Sequence, residues 1–314
     1  MEDNSVDLIV TSPPYPMIEM WDNLFVSMNN SISDSEDAFE LMHQELDKVW
    51  EECFRILKPG SFICINIGDA TRTINQFRLY NNHSRISAAL LNTGFINLPN
   101  IIWRHPTNSP NKFMGSGMLP CGAYVTLEHE YILIFKKPGK KDIDKITRRQ
   151  SAYFFEERNI WFSDVWNVPA TRQSMNNSSR TRNASFPLEI PYRLINMYSV
   201  YGDVVVDPFC GLATTNIAAM LSGRNSIAIE IDPNLFSVIN ERIQTFNYEN
   251  FQKNRLNKHM DYANERLKSG NKFKYFNENL NCPVTTRHET DMVLYEIDNI
   301  FKSEYNYKCT YKPV

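Results

Sequence analysis

Two short stretches combine residue types in a way that ordinary turns do not need. The first is Thr11-Ser12-Pro13-Pro14-Tyr15, which directly follows the apolar run at 6–10. Consecutive prolines fix the backbone and remove two amide donors, so the carbonyls of Ser12 and Pro13 are held as acceptors. An exocyclic amino group offers two N–H donors, which suit the Ser12 hydroxyl and the Pro13 carbonyl. Tyr15 adds a face on which a planar base can stack. The competing reading is a plain Pro-Pro turn with a packing tyrosine.

The second stretch is Asp207-Pro208-Phe209-Cys210-Gly211-Leu212-Ala213-Thr214-Thr215, between an apolar run and a helical one. Gly211 permits close backbone approach, and a helix start offers unpaired N–H groups. Further on, Glu230 ends the next apolar run. A carboxylate there can accept both hydroxyls of a ribose, as in dinucleotide sites, or can simply be a solvated strand end. The glycine fingerprint of dinucleotide sites is absent, because Ala213 fills its second position. Asp207 also has the wrong charge for a pyrophosphate and the right one for the ammonium or sulfonium of S-adenosylmethionine.

Strands and helices must hold these turns. The runs 6–10, 61–67 and 131–135 read as buried strands, and 38–57 and 85–92 as helices, the first with a Ser33/Glu36 capping box and ended by Pro59-Gly60. The stretch 95–103 leads into a loop rich in Pro, Gly and Ser at 105–122. Later, 204–206 and 226–231 read as strands and 212–221 as a helix, with Asp232-Pro233 starting another. This alternation predicts a parallel α/β sheet with helices on both faces. After about 247 the chain reads as polar and irregular, with one short strand at 292–297.

The net charge of −3 speaks weakly against a nucleic-acid partner, but residues 1–60 hold 13 acidic and 3 basic side chains, leaving an excess of positive charge elsewhere. The stretch 136–149 carries Lys136, Lys137, Lys140, Lys141, Lys145, Arg148 and Arg149 against two acids, and 171–183 carries Arg172, Arg180 and Arg182 with none. Aromatic residues lie between. This reads as a nucleic-acid-facing insertion or as a solvated loop. Six cysteines without a CxxC pair support neither zinc nor disulfides and suit a reducing cytoplasm. No apolar run is long enough for a membrane span, and the acidic start is not a secretory signal.

Together, the two turns resemble the motifs of the amino-methylating DNA methyltransferases, in the β-type order with the catalytic motif first. LKPGSFICINIGD at 57–69, LEHEYILIFKK at 127–137 and FPLEIPYRLI at 186–195 fit the same family. The resemblance covers about 5–246. It implies a Rossmann-like, S-adenosylmethionine-dependent α/β fold with a target-recognition insertion. The divisions expected are a catalytic half at 1–135, the insertion at 136–183, a cofactor half at 184–246 and an extension at 247–314. Ser12, Pro13 and Pro14 are expected to hold the target amine, and Tyr15 to stack on the flipped base. Asp207, Phe209 and Gly211 are expected to line the cofactor, and Glu230 to bind its ribose. Thr214 and the Ser185–Pro187 segment, including Pro187, are expected at its carboxylate end. Asp69 reads as a cofactor contact or a loop acid, and Asp232 as a helix cap. The cations Lys136, Lys137, Lys140, Lys141, Arg148, Arg149, Arg172, Arg180 and Arg182 are expected to meet DNA.

Serine at the first motif position implies cytosine-N(4) as the target, with adenine-N(6) as the alternative. Partners implied are double-stranded DNA and a cognate restriction endonuclease acting on the same site without a stable complex. The chain is expected to be a cytoplasmic prokaryotic monomer or homodimer, with no metal. Rival readings are an NAD-dependent oxidoreductase, a non-catalytic DNA-binding partner, and an RNA or protein amide methyltransferase. One departure concerns the strand and acidic motif that the family usually has upstream of its catalytic strand. Either the C-terminal segment, for instance 292–297, supplies that strand, or the sequence starts beyond it.

Overall fold

The computed structural model describes residues 1–32, 37–105, 114–115, 119–170 and 186–314. The apolar run at the start forms β1 (Val6–Thr11), buried at every position. Helix α1 (Ala38–Ile56) follows and buries Met42, His43, Leu46, Trp50 and Cys53 on one stripe, the 3.6-residue spacing of a core-facing helix. The Ser33/Glu36 capping box lies outside the described residues. The helix stops before Pro59-Gly60, and these two residues instead sit inside β2 (Leu57–Ile67). Gly60 has φ +83°, and a Cβ there would lie 2.4 Å from the Lys141 nitrogen, so only glycine fits.

The chain continues through α2 (Asn82–Thr93), β3 (Ile101–Arg104) and β4 (His129–Lys136). Next come α3 (Lys145–Gln150), α4 (Phe155–Trp161) and β5 (Val165–Asn167). Helix α5 (Glu189–Tyr198) leads into β6 (Val204–Asp207), α6 (Thr214–Leu221), β7 (Asn225–Ala228) and α7 (Leu235–Thr245). These seven strands form one sheet in the order β5-β3-β4-β2-β1-β6-β7, with the two-residue strand Ile96–Asn97 also pairing with β4. One face is covered by α1 and α2 and the other by α5, α6 and α7, giving two separate apolar layers.

The expectation of a wholly parallel sheet needs one correction. Strand β4 runs antiparallel to both β2 and β3, while the other neighbours along the main order are parallel. The reversal carries the end of β4 to the amino edge of the sheet, where Lys136 pairs with Phe62. The chain leaves β3 and β5 at the carboxyl edge, the edge that also bears the two motif turns.

Of the insertion expected at 136–183, the described residues 136–170 pack against the core. Its β5 extends the main sheet, and Trp161 and Trp166 pack in the same apolar layer as α5 and α6. The C-terminal reading also changes. An 18-residue helix, α8 (Phe251–Lys268), occupies a stretch read as irregular. The segment at 292–297 enters β8 (Tyr295–Ser303), which among the described residues pairs only with β9 (Asn306–Pro313), in a separate hairpin. It therefore does not complete the sheet. Strand β7 is the sheet edge among the described residues, with Ile227 and Ile229 exposed beside it.

Candidate active site

Both motif turns leave the carboxyl ends of adjacent strands, because β1 and β6 are parallel neighbours with Ile9 opposite Val206. Thr11 and Asp207, the last residues of the two strands, are joined by a hydrogen bond. The Thr11 hydroxyl donates to Asp207 Oδ1 at 2.6 Å, and both residues are buried. Asp207 also accepts from the Phe209 amide at 3.1 Å. Burial pushes the Asp207 carboxyl up to about 6, against the pull of these donors and of the Thr215 hydroxyl.

The Ser12–Tyr15 turn is fixed from behind by a residue outside the motif. Asn82, at the start of α2, donates to the carbonyls of Pro16 (3.1 Å) and Gly68 (3.0 Å). His43 of α1 holds the Asn82 oxygen through Nε2 at 3.0 Å. Burial lowers the His43 pKa to about 4, so the ring is neutral and can only donate there. Among the described residues no donor reaches the carbonyls of Ser12 and Pro13.

Tyr15 sits in a polar network of four residues. Its hydroxyl donates to Glu130 Oε2 at 2.6 Å and receives Asn66 Nδ2 at 2.8 Å. Asn66 also donates to Glu130 Oε2 at 2.6 Å. The Ser12 hydroxyl lies 3.1 Å from the Tyr15 oxygen. Burial and the Glu130 charge hold the Tyr15 hydroxyl well above its ordinary range, so it stays neutral. The ring is half-buried, and a Cβ on Gly68 would come within 3.0 Å of its edge, so glycine there makes room for it. Asn66 and Glu130 have no place in the sequence expectation. The available signal was a polar side chain in the otherwise apolar strand end FICINI, and a glutamate beginning EYILIF.

Glu230 is brought against the turn that holds Gly211. Gly211 donates its amide to Glu230 Oε2 at 2.9 Å, and Asp232 donates its amide to Glu230 Oε1 at 2.9 Å. Nothing lies within 4 Å of where a Gly211 Cβ would be, so the turn faces open room. Phe209 meets Trp50 edge-on at 6.1 Å. Ala213 has φ +59° and is fully buried. Thr214 is buried too and accepts from Arg242 at 2.9 Å. Pro187 is buried at the start of α5, while Ser185 lies outside the described residues. Cys210 is buried, which pushes its thiol up to about 12 and leaves no thiolate for covalent chemistry.

Asp69, expected as a cofactor contact or a loop acid, is tied to the start of α2. Its carboxylate receives the His83 amide at 3.1 Å and the ring Nδ1 at 2.8 Å, so it anchors the first turn of α2. The expected helix cap Asp232 instead receives the Asn234 amide at 3.0 Å, one turn ahead of α7.

The comparisons with known proteins decide the family. A family model described as a DNA methylase, for N6 and N4 methyltransferases, matches residues 6–241. The chain belongs to the N6/N4 DNA methylase family. It is 50% identical over 311 residues to the Type II methyltransferase M.MthZI of Methanothermobacter thermautotrophicus, covering 94% of this chain and 86% of that protein. It is 51% identical over 263 residues to M.MjaI of Methanocaldococcus jannaschii, covering 77% and 86%. A Thermus thermophilus structure, described as that of a DNA modification methylase complexed with S-adenosyl-L-methionine, superposes with TM-score 0.61 at 32% identity, covering 77% of this chain and 86% of its own. The PvuII DNA methyltransferase shares the fold, with TM-score 0.54 at 17% identity and coverage of 79% and 82%.

In this methylase the basic residues expected to meet DNA are placed as follows. Lys137 donates to the carbonyls of Phe54 (2.6 Å) and Leu57 (2.8 Å) and to Asn4. Lys141 is held between Asp7 (2.9 Å) and Asp203 (2.7 Å) at the amino ends of β1 and β6. Lys136 and Lys140 lie on that same amino edge, and Arg149 pairs with Asp291. Arg148 is on α3 beside them. The run 136–149 therefore sits across the sheet from Ser12, with two of its ammonium groups engaged inside the fold. Arg172, Arg180 and Arg182 lie outside the described residues. Among the described residues no cluster of metal-ligating side chains is present, and no helix is long and apolar enough to cross a membrane.

Proposed function

We propose that this methylase transfers the methyl group of S-adenosylmethionine to N4 of a cytosine turned out of double-stranded DNA. The observation that carries the reading is the Ser12 turn, with two carbonyls that no donor reaches among the described residues, beside a hydroxyl at the carboxyl edge of β1. It is clasped to the Asp207 turn by Thr11. An exocyclic amine is a poor nucleophile because its lone pair is shared with the ring. Acceptors on its two hydrogens pull the nitrogen toward tetrahedral geometry and localise that pair.

The cofactor is S-adenosylmethionine, which supplies an electrophilic methyl group on a sulfonium. The open room above Gly211 fits it, and the Glu230 carboxylate, held by the Gly211 and Asp232 amides, stands beside that room as the acceptor proposed for the ribose hydroxyls. Asp207 acts through Thr11 and Phe209, since its carboxylate is enclosed. Flipping the base costs a few kcal/mol. Stacking on the half-buried Tyr15 ring returns roughly 1–3 kcal/mol.

The choice of cytosine rests on serine at position 12, where the resemblance associates Asp or Asn with adenine. DNA is proposed to approach the carboxyl edge, so the run 136–149 is not its phosphate contact. A companion endonuclease of the same specificity, acting without a stable complex, accords with the Type II names of M.MthZI and M.MjaI. Digestion of treated DNA to nucleosides with mass spectrometry tests the target. N4-methylcytosine is expected, and N6-methyladenine alone selects the alternative.

A further inference from the structure

We propose that Glu130, acting through Tyr15 and Ser12, accepts the proton that the target amine must lose, and that His105 is the next acceptor. The inference rests on the reading of the Ser12 turn as the amine site. The direction of the hydrogen bonds carries it. The Tyr15 O–H is committed to Glu130 Oε2 at 2.6 Å. Both lone pairs of the Tyr15 oxygen then face donors, Asn66 Nδ2 at 2.8 Å and the Ser12 hydroxyl at 3.1 Å. Ser12 must therefore donate to Tyr15, and its oxygen presents only acceptor capacity to an incoming N–H. A carboxylate at the end of the chain fixes this polarity, because it can only accept.

The same chain balances the reaction. As the nitrogen–methyl bond forms and the sulfur–methyl bond breaks, the pair of the broken bond stays on sulfur and the nitrogen becomes cationic. One N–H proton then passes to Ser12 Oγ, the Ser12 proton to Tyr15, and the Tyr15 proton to Glu130, which becomes neutral. Tyr15 never ionises, in keeping with its raised pKa. His105 Nε2 lies 3.3 Å from the other carboxylate oxygen, Glu130 Oε1, and among the described residues has no hydrogen-bond partner. Its Nε2 is enclosed, while the side chain as a whole is partly exposed. The adjacent charges, Arg104 and Glu128, face each other at 3.6 Å.

Positioned proton acceptors contribute roughly 100- to 10,000-fold. Glu130→Gln can turn its amide N–H toward Tyr15 and reverse the chain, which points the Ser12 proton at the amine. Single-turnover methylation is expected to fall at least about 100-fold, with S-adenosylmethionine affinity by equilibrium dialysis within about twofold. Glu130→Ala is expected to be rescued by acetate, in a concentration-dependent way that chloride at equal ionic strength does not reproduce. His105→Gln is expected to slow transfer about tenfold in the unchanged background and not at all in Glu130→Gln.

Methylation by Glu130→Gln within about threefold of the unchanged protein overturns the proposal. So does cofactor affinity lost in step with the rate, or a Glu130→Ala protein indifferent to acetate. Additive losses remove the His105 step. The unchanged protein run alongside separates the two levels: if it methylates no DNA, the reading of the site fails, whereas if it does and Glu130→Gln keeps pace, only the proton route falls.

Discussion

At the residue scale, Asp207 joins structure to chemistry, because one enclosed carboxyl holds both turns. Its pKa is raised from 3.8 to about 6, chiefly by burial. The folded state therefore binds more protons than the unfolded chain between these values, and stability falls as pH rises through that window. The size is up to about 3 kcal/mol. Asp207→Asn can still accept from Thr11 and Phe209, so its unfolding free energy is expected to lose this slope between pH 4 and 6 in denaturant titrations. Ala213 offers a second test. A left-handed alanine costs about 1–2 kcal/mol, whereas glycine there gives up a buried methyl of about 0.8 kcal/mol and gains unfolded-state entropy. Ala213→Gly is expected to change stability by less than about 1 kcal/mol. Ala213→Val is expected to lose roughly 2 kcal/mol or more, since a β-branched residue fits neither the φ nor the space.

At the scale of elements, the helix that hydropathy reading passes over is instructive. The face of α8 that packs inward is Gln252, Arg255, His259 and Ala263, at helical spacing but three-quarters polar. Its apolar residues Leu256, Met260 and Ala263 also face the core, but they alternate with polar residues whose partners are charged, so the apolar signal is weak. Arg255 pairs with Glu157 of α4 at 2.6 Å, and His259 with Glu156 at 2.7 Å while lying flat on the Phe154 ring. Burial lowers the His259 pKa, but its bonds to Cys282, Glu156 and the Pro283 carbonyl prevail and raise it to about 10. The stabilisation is fully present below pH 6.5 and lost as pH rises through 10. It amounts to at most about 5 kcal/mol. Melting temperature is expected to fall between pH 7 and 10, and Glu156→Gln is expected to flatten that fall.

For the whole molecule, charge placement matters more than net charge. Neutralising Lys136, Lys140 and Arg148 together is expected to leave the slope of log K for DNA against log salt changed by less than about one, because these residues lie on the edge away from Ser12. A slope reduced by about three would return the run to the DNA interface. Lys141→Met is expected to lower stability by about 3 kcal/mol, since Asp7 and Asp203 would lose the cation between them, and to leave DNA affinity unchanged.

The primary structure by itself determined the two turns, their order, and the strands that carry them. Proline pairs, a glycine after DPF and short β-branched runs act locally, and local chemistry is legible along a chain. The nearness of Glu230 to the Gly211 turn belongs here as well, since one βαβ unit spans them. Only the tertiary structure decided the direction of β4, because the apolar pattern of a buried strand is the same whichever way it runs. That reversal sent a conspicuous run of lysines to the amino edge and brought Glu130 to the carboxyl edge beside Tyr15. Contacts such as Tyr15 with Glu130 and Thr11 with Asp207 join residues more than a hundred positions apart. Such pairings depend on how strands are ordered across a sheet, which neither spacing nor periodicity encodes.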